Sequence, residues 1–298
     1  MSVIKSDCLD FLRGMDPGSL DLIFGSPPYE MARAYLEHGE DLGIARDTEK
    51  WVAWMVEVVH ESLRVCKGLV AFVVEGQTKN YRYSCGPALL IADLHRAGVH
   101  LRRPCFYHRV GIPGSGGPDW FRGDTEFIVC ATNGGRLPWS DPLATAKPCV
   151  YGPGGAFSNR TKNGDRTRRD KRFSDRGERG VKEEVQHYTP PDLANPGNVI
   201  FDDVANESDM IRCKVGGGQM GNEKCHANEA PFPEMLAEVF VRSFCPPGGL
   251  TADPFSGSGT TGAVCRRFGR KFAGCDLRQS QVDLANSRIA DESPSLFS

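Results

Sequence analysis

The sequence predicts an α/β fold with a doubly wound, mostly parallel sheet and one irregular insertion. Strand-like and helix-like segments alternate over residues 2–131 and again over 231–289, whereas the periodicity disappears between about 133 and 221. Such alternation is typical of parallel sheets that carry helices on both faces. The chain of 298 residues, 40% of them hydrophobic, is long enough to bury the core that this fold requires.

The N-terminal elements are predicted from apolar runs of strand length and from apolar residues at helical spacing. Leu69–Val74 is a near-continuous apolar run, which is typical of a strand buried on both faces. The helix before it begins near Trp51 and is expected to end at Gly68. In chain order, the sequence predicts a strand at 2–5, a helix at 9–12, a strand at 20–24, a helix at 51–68, a strand at 69–74, a helix at 88–94, and strands at 105–110 and 126–131.

Regular structure resumes in the C-terminal part. Pro233 suits a helix start, because its fixed φ and missing N–H are both compatible with the first turn. The predicted elements are a helix at 233–240, a strand at 250–253, a helix at 260–268, a strand at 271–275 that ends in Asp276, and a last helix through 282–289.

The charge of the chain is nearly balanced. Lys and Arg number 36 and Asp and Glu number 38, so the formal net charge is −2 and any nucleic-acid partner must be met by a local basic patch. The first seven residues carry charges where a secretory signal needs an apolar run. No window approaches the roughly 20 apolar residues of a membrane span. We therefore expect a cytoplasmic protein with no membrane partner.

Eleven cysteines are spread singly along the chain, without a C-x-x-C pair. Disulfide frameworks and structural zinc sites normally show paired spacing. Cys213, Cys225 and His226 lack a fourth ligand at a suitable spacing, so no metal site is predicted. The thiols are expected to be small buried groups in a reducing compartment.

A glycine-rich turn follows the strand predicted at 250–253 and reads Asp253-Pro-Phe-Ser-Gly-Ser-Gly-Thr-Thr261. Gly257 and Gly259 allow a tight turn and close approach of a ligand. The helix that begins after them directs free N–H groups towards an anion. Asp276, at the end of the next strand, has the position of an acid that binds ribose hydroxyls. The turn therefore predicts a site for a small ligand with an anionic group and a ribose.

Other interpretations of this turn remain open. A phosphate-binding P-loop needs a lysine that is absent from Gly259-Thr-Thr261. A dinucleotide-binding turn has the pattern G-x-G-x-x-G, which residues 257–262 match. A turn without a ligand is also compatible with the sequence, since glycines are common at strand–helix junctions of this architecture.

A second motif follows the strand predicted at 20–24 and reads Gly25-Ser-Pro-Pro-Tyr29. Two consecutive prolines remove two N–H donors, so this corner presents carbonyl oxygens and a hydroxyl. Such a corner can accept hydrogen bonds from an exocyclic amino group, and Tyr29 offers a flat face for a base. A plain strand-ending turn is the alternative interpretation.

At this point the chain resembles a known family. Ser26-Pro-Pro-Tyr29 is similar to the catalytic motif of DNA amino-methyltransferases, and Asp253–Thr261 is similar to their S-adenosylmethionine motif. His226-Ala-Asn-Glu-Ala-Pro-Phe-Pro233 and Phe121–Ile128 resemble two further family segments. The catalytic motif comes first and the cofactor motif last, as in the circularly permuted β-type subgroup.

The resemblance implies a Rossmann-like methyltransferase fold with S-adenosylmethionine as cofactor. Residues 1–133 and 222–298 would form the catalytic domain, and 134–221 an inserted target-recognition region. The implied catalytic residues, at the corner that would hold the flipped base, are Ser26, Pro27, Pro28 and Tyr29. The implied cofactor-binding residues are Asp7 at the adenine edge, Phe232 near the methionine end, Asp276 at the ribose, and the turn residues Asp253, Pro254, Phe255, Ser256, Gly257, Ser258, Gly259, Thr260 and Thr261.

A basic run lies within the predicted insertion. Arg160–Lys182 holds ten Lys or Arg against four Asp or Glu and is nearly free of apolar residues. It is either a solvated loop or a segment that neutralises DNA phosphates. The candidate DNA-contacting residues are Arg160, Lys162, Arg166, Arg168, Arg169, Lys171 and Arg172.

The resemblance favours cytosine N4 as the methylated atom, because serine precedes the two prolines; adenine N6 is the alternative. A cytosine-C5 enzyme would need a Pro-Cys nucleophile, and Pro104-Cys105 has no features of an activated thiol. A catalytically inactive DNA-binding protein on the same fold is a further alternative. DNA is the expected partner, and the resemblance leaves room for a homodimer and a cognate restriction endonuclease.

Overall fold

The computed structural model of the chain describes residues 2–29, 47–108, 119–121, 123–148, 193–194, 197–201 and 232–293. The helices there are α1 (Cys8–Arg13), α2 (Thr48–Val65), α3 (Gly86–Arg96), α4 (Glu234–Phe244), α5 (Thr260–Arg267) and α6 (Gln279–Asp291). The strands are β1 (Ser2–Lys5), β2 (Leu20–Gly25), β3 (Cys66–Val74), β4 (Thr78–Lys79), β5 (Arg82–Tyr83), β6 (His100–Leu101), β7 (Cys105–His108), β8 (Thr125–Thr132), β9 (Lys147–Pro148), β10 (Leu193–Ala194), β11 (Val199–Phe201), β12 (Leu250–Asp253) and β13 (Lys271–Asp276).

The chain divides into two compact units. One unit, residues 1–141 and 197–298, contains helices α1 to α6 and the main sheet. The other, residues 142–196, contains the antiparallel pair of β9 and β10. The predicted insertion at 134–221 has different boundaries from this division, and its part in target recognition stays a prediction.

The main sheet has the strand order β1-β13-β12-β2-β3-β8-β7-β11, with β6 paired to β8. The five strands from β1 to β3 in this order are all parallel. β8 runs antiparallel to both β3 and β7, and β11 is parallel to β7. The carboxyl ends of the five parallel strands therefore share one edge, and ligands of doubly wound sheets bind at such an edge.

Helices cover both faces of the sheet. β3 shows this most clearly, since Leu69, Ala71 and Val73 face one core and Val70, Phe72 and Val74 face the other. The first core includes residues of α4, α5 and α6, and the second includes residues of α1, α2 and α3. The predicted α/β fold with a doubly wound, mostly parallel sheet is confirmed, and so is the burial of β3 on both faces.

The two ends of the described chain meet at one edge of the sheet. β1 pairs with β13, the last strand, in parallel register from Ser2–Ala273 to Lys5–Asp276. The side chain of Asn286 in α6 accepts from the Val3 N–H and donates to the Val3 carbonyl, both at 2.8 Å. The Asn286 side-chain amide thus satisfies the backbone groups of Val3 that a further strand would otherwise pair, since β1 is at the end of the strand order.

One predicted helix end is wrong. Gly68 was expected to terminate α2, but α2 ends at Val65 and Gly68 belongs to β3. A Cβ at Gly68 would lie 3.0 Å from the Asp21 carbonyl carbon and closer still to its oxygen. Gly68 is therefore required by the close packing of β3 against β2. In the sequence, a glycine required for this reason looks the same as a glycine that ends a helix.

Several short elements were not predicted from the sequence, notably the hairpin of β4 and β5 and the edge strands β6 and β11. Strands of two or three residues lack enough positions for a periodic signal. Of the strand predicted at 105–110, the part up to His108 is described and is β7. No helix within the described ranges is long and apolar enough to cross a bilayer.

Candidate active site

The two predicted motifs leave neighbouring parallel strands at the same edge. β2 and β12 pair with Ile23 opposite Ala252, so Gly25 and Asp253 end their strands side by side. A Cβ at Gly25 would lie 2.9 Å from Asp253 Cγ and closer still to Oδ1. The carboxyl group of Asp253 therefore rests on the bare Cα of Gly25, and the two motifs are in direct contact.

Asp253 is buried, with 1% of its surface exposed. Its Oδ1 accepts from the Phe255 N–H at 2.9 Å, and its Oδ2 accepts from the Thr261 hydroxyl at 3.0 Å. Burial raises the pKa of Asp253 to about 7, against the lowering effect of these two hydrogen bonds. The Asp253 carboxyl group, which bonds to both ends of the turn, therefore titrates near neutral pH.

The turn between β12 and α5 contains two glycines in the left-handed region. Gly257 has φ of 47° and Gly259 has φ of 78°. A Cβ at Gly259 would also lie 2.8 Å from Ala285 Cβ in α6, so a larger residue is excluded on two grounds. Gly259 is the N-cap of α5 and supplies no side-chain cap, so the first N–H groups of the helix can serve a ligand.

The hydroxyl side chains of the turn are bonded inside the protein. Ser256 donates to the Asp253 carbonyl at 2.9 Å, and Thr261 to the Asp253 carboxylate. Ser258 and Thr260 accept from Arg288 at 3.3 and 2.9 Å. All four residues are buried. Their side chains shape the turn, so we expect ligand contacts here to come from the backbone.

Arg288 of α6, with none of its surface exposed, supports this turn through its hydrogen bonds to Ser258 and Thr260. Its guanidinium also donates to Glu234 in the first turn of α4. Glu234 further accepts from Arg267 at 2.8 Å. One buried cation therefore connects the glycine-rich turn to the start of α4, next to Phe232.

Asp276 lies where the sequence placed it, at the carboxyl end of β13. Its Oδ2 accepts from the Gly257 N–H at 3.1 Å, and its Oδ1 accepts from the Arg278 N–H at 2.9 Å. Oδ1 also lies 3.6 Å from Nε of the Arg278 guanidinium. Each carboxylate oxygen can accept more than one hydrogen bond, as the binding of hydroxyl groups would require.

Asp7 is brought beside Asp276, because β1 and β13 end together and the Ser6 N–H donates to the Asp276 carbonyl at 3.2 Å. The Asp7 carboxylate caps α1, since its Oδ1 accepts from the Leu9 N–H at 2.8 Å. It therefore has a structural role in addition to the predicted place at the adenine edge.

Two predicted aromatic residues line opposite sides of these strand ends. Phe232 packs edge-on against Phe24 of β2, with ring centroids 5.5 Å apart. Phe255 packs against Phe72 and Trp54 at 5.8 and 5.7 Å. Pro254, between Asp253 and Phe255, is buried.

The Ser26 hydroxyl has a defined polarity. It donates to the Val73 carbonyl of β3 at 3.2 Å. A hydroxyl carries a single hydrogen, so towards any further group Ser26 can only accept. The neighbouring strand thus makes Ser26 an acceptor, as binding an amino group requires.

The remaining corner residues are held by two buried side chains that the sequence did not identify. The indole N–H of Trp51 donates to the Pro28 carbonyl at 2.8 Å, and Trp51 is completely buried in α2. The Tyr29 hydroxyl donates to Glu126 of β8 at 2.8 Å. Pro27, between Ser26 and Pro28 in the sequence, is buried. The corner is therefore fixed from three sides, by β3, α2 and β8.

The roles of Trp51, Arg288 and Glu126 were not predicted from the sequence. Trp51 matched an ordinary apolar helix pattern, and nothing in that pattern shows an indole donor. A buried role for Arg288 was only weakly indicated by the sequence, through its position on the same face of α6 as Val282 and Ala285. Glu126 stood in a segment that resembled the family, without an assigned role.

Several predicted residues lie outside the described ranges or away from the site. The seven basic candidates between Arg160 and Arg172, as well as Cys213, Cys225 and His226, are outside the described residues. Cys105 lies on β7, three strands from β2 and hence roughly 14 Å from it. Within the described ranges, no group of His, Cys, Asp and Glu could hold a metal ion.

Comparison with known proteins gives a family match over most of the chain. Residues 20–287 match the N6_N4_Mtase family, which is described as DNA methylase. Type II methyltransferase M.ScaI of Streptomyces caespitosus is 22% identical over 297 residues, which cover 92% of this chain and 86% of that protein. Type II methyltransferase M2.DpnII of Streptococcus pneumoniae is 24% identical and covers 98% of this chain and 90% of its own.

Solved structures show the same fold at low sequence identity. The PvuII DNA methyltransferase, described as cytosine-N4-specific, has a TM-score of 0.64 at 17% identity and covers 99% of this chain and 88% of its own. TTHA0409 of Thermus thermophilus, solved in complex with S-adenosyl-L-methionine, has a TM-score of 0.56 at 21% identity, with coverage of 97% and 95%.

Proposed function

The chain belongs to the N6_N4_Mtase family of DNA methylases and is an S-adenosylmethionine-dependent DNA methyltransferase, and from this premise we propose that it methylates the exocyclic N4 of cytosine. The observation that supports methyl transfer to an exocyclic amino group is the contact between Gly25 and Asp253. It brings an acceptor corner suited to an amino group next to a turn suited to a cofactor. Methyl transfer needs both at one place.

The strand ends fit the cofactor. The N–H groups at the start of α5 would bind its carboxylate, and Asp276 would accept from its ribose hydroxyls. Gly257 and Gly259 leave the backbone bare where the ligand approaches. Asp7 and Phe255 would lie along the adenine, and Phe232 near the methionine end. When bound, S-adenosylmethionine supplies a methyl group on a positively charged sulfur.

The chain's own residues would prepare the base. The amino group of cytosine is a poor nucleophile, because its lone pair is delocalised into the ring. Ser26, which can only accept, and the Pro27 carbonyl would bond its two N–H groups and favour a lone pair localised on nitrogen. Tyr29, fixed through its hydroxyl by Glu126, would support the ring of the everted base.

The choice of cytosine over adenine depends on Ser26 at the first position of the corner. Family members with serine there favour cytosine N4 by resemblance, and the PvuII enzyme with the same fold is described as cytosine-N4-specific. Adenine N6 is the second candidate, since the same acceptor corner suits either amino group.

The test is to incubate the full chain with unmethylated bacterial genomic DNA and methyl-labelled S-adenosylmethionine, and then to digest the DNA to nucleosides. We expect the label in N4-methylcytosine. Label in N6-methyladenine would overturn the choice of base, and unlabelled DNA would overturn the assigned activity.

DNA is the substrate of the family, and three finer points are proposals. We propose that the basic run at 160–172 binds DNA phosphates, because the stretch 160–182 around it holds ten cationic residues and too few apolar ones for a core of its own. We propose a cognate restriction endonuclease as functional partner, because the relatives are type II methyltransferases. A homodimer and a cytoplasmic location complete the proposal, the latter supported by the eight free cysteines of the described ranges.

A further inference from the structure

A short hairpin rises from the same edge of the sheet as the two motifs. β3 ends at Val74, and the chain continues directly into β4 and β5 before α3 begins. Ser26 is bonded to Val73, so this hairpin leaves the sheet one residue beyond the contact that orients the acceptor corner. We call residues Thr78–Tyr83 the rim hairpin.

The tip of the rim hairpin has an unfavourable backbone. Lys79 pairs with Arg82, which leaves Asn80 and Tyr81 as a two-residue turn with φ of 51° and 62°. Two positive φ values define a type I′ turn, whose second position is usually glycine. A tyrosine there is strained. Within the described part of the chain, the non-glycine residues with positive φ are Asn80, Tyr81 and Cys85, all in this one segment. Strain of this kind concentrates at functional positions.

The base of the hairpin is firmly held. The Tyr83 hydroxyl donates to Glu75 at 2.9 Å, and its ring covers Gly76, where a Cβ would lie 2.7 Å from the ring. The Ser84 N–H donates to the Gln77 carbonyl at 2.9 Å. The tip therefore projects from a fixed base, by about 7 Å for arms of two residues.

The side chains at the tip suit a nucleic acid. Tyr81 has 84% of its surface exposed, and it stands between the exposed cations Lys79 and Arg82. Residues 77–84 include no acidic residue. An exposed ring flanked by cations can stack on a base while the cations meet phosphates.

We propose that the rim hairpin is a DNA-contacting element in which Tyr81 stacks on a base beside the everted target and Lys79 and Arg82 bind the flanking phosphates. The inference rests on the proposed function, because a base becomes available for stacking when its neighbour leaves the duplex. It also accounts for the strained tyrosine: glycine would fit the turn better but would present no ring.

The experiment measures methylation of unmethylated bacterial genomic DNA by the full chain and by Tyr81 variants. For Tyr81→Ala we expect kcat/KM for DNA to fall about tenfold, with unchanged calorimetric binding of S-adenosylmethionine. Tyr81→Phe keeps the ring and should stay within about twofold of the wild type. Tyr81→Gly should lose as much activity as Tyr81→Ala while its melting temperature rises, because it relieves the turn.

The cations are tested through salt. Replacing both Lys79 and Arg82 by alanine should lower the slope of log DNA affinity against log salt by about 2, measured on a mixed-sequence duplex. Lys271→Ala, at the start of β13 and the opposite edge of the sheet, is the control and should leave DNA affinity nearly unchanged.

A Tyr81→Ala protein with wild-type kcat/KM for DNA would overturn the inference. If the light-scattering mass of that variant also differed from the wild type, the hairpin would be a protein interface instead. Failure of the proposed function is distinct, since the wild-type chain itself would then label adenine N6 or no base at all, whereas this inference depends on the difference between the Tyr81 variants and the wild type.

Discussion

The carboxyl group of Asp253 packs against the Cα of Gly25, so the last residues of two parallel strands touch at the centre of the site. The contact depends on the absence of a side chain at Gly25. It also requires that Asp253 be turned inwards, where Thr261 and the Phe255 N–H hold it. The two halves of the site therefore have a common structural base.

Replacing Gly25 by alanine should disrupt this contact. The added Cβ would lie 2.9 Å from Asp253 Cγ, and overpacking of this kind costs about 1–3 kcal/mol. We expect a lower free energy of unfolding in urea and loss of DNA methylation. Gly14→Ala is the control, because its Cβ would have no neighbour closer than 3.4 Å. Wild-type activity in Gly25→Ala would show that the strand ends tolerate separation.

The raised pKa of Asp253 predicts a dependence of stability on pH. The folded pKa is about 7 and the ordinary value is 3.8, so the folded state binds the proton more tightly. Stability should therefore fall as pH rises from about 4 to 7 and then level off, by up to roughly 4 kcal/mol for this group.

The measurement is urea unfolding across this pH range for the wild type and for Asp253→Asn. The variant lacks the titrating group, so its stability should decline less with rising pH. Asp16→Asn, at an exposed aspartate, should keep the wild-type dependence. Parallel curves for Asp253→Asn and the wild type would contradict the burial argument.

Trp51→Phe removes the donor to the Pro28 carbonyl while keeping an aromatic ring in α2. The Pro28 carbonyl is partly buried, and leaving a buried carbonyl without a partner costs about 1–3 kcal/mol, so we expect a smaller loss of stability here together with a less fixed corner. We expect kcat to fall about tenfold while the affinity for S-adenosylmethionine is kept. Met55→Leu, a conservative change at another buried position of α2, serves as the packing control. An unchanged kcat would show that the hydrogen bond from Trp51 to the Pro28 carbonyl is not required for turnover.

Tyr29 has two separable features, its ring and its hydroxyl. Tyr29→Ala removes both and should reduce turnover strongly while sparing cofactor binding, because base stacking contributes about 1–3 kcal/mol. Tyr29→Phe removes the hydrogen bond to Glu126 and keeps the ring, so its loss should be smaller. Steady-state methylation with calorimetry of S-adenosylmethionine binding distinguishes the two variants. Equal turnover in Tyr29→Ala and the wild type would exclude the stacking role.

The parts of the site that the sequence predicted are those that depend on strand ends. The carboxyl ends of parallel strands lie at the same edge of a sheet, and Ser26 and Asp253 follow two such strands, β2 and β12, which are also neighbours. The supports behind them were not predictable in this way. Whether the Trp51 indole reaches the Pro28 carbonyl depends on the rotation of α2 over the sheet, which an apolar pattern leaves undetermined.

Local signals failed where tertiary contacts override them. Gly68 looked like a helix stop but serves the approach of β3 to Asp21. The rim hairpin was missed because Asn80-Tyr81 lacks the Asn-Gly pair that normally indicates a type I′ turn. Gly68 is explained by its contact with Asp21, and Tyr81 by the ring that it exposes. Neither property can be predicted from the neighbouring residues in the sequence.

Arg288→Met should uncouple the glycine-rich turn from α4. The substitution removes the buried cation that bonds Thr260, Ser258 and Glu234, and it leaves part of Glu234 without its partner. Breaking a buried ion pair from one side costs about 3–5 kcal/mol, although Arg267 would still neutralise Glu234 in part. We expect urea unfolding to show this loss and calorimetry to show weaker S-adenosylmethionine binding, since the turn would lose this support.

Arg96→Met is the matched control, because Arg96 pairs with Asp93 on the exposed surface of α3, where ion pairs contribute about 0–1 kcal/mol. If both variants lose the same small amount of stability and bind the cofactor equally well, Arg288 does not position the turn.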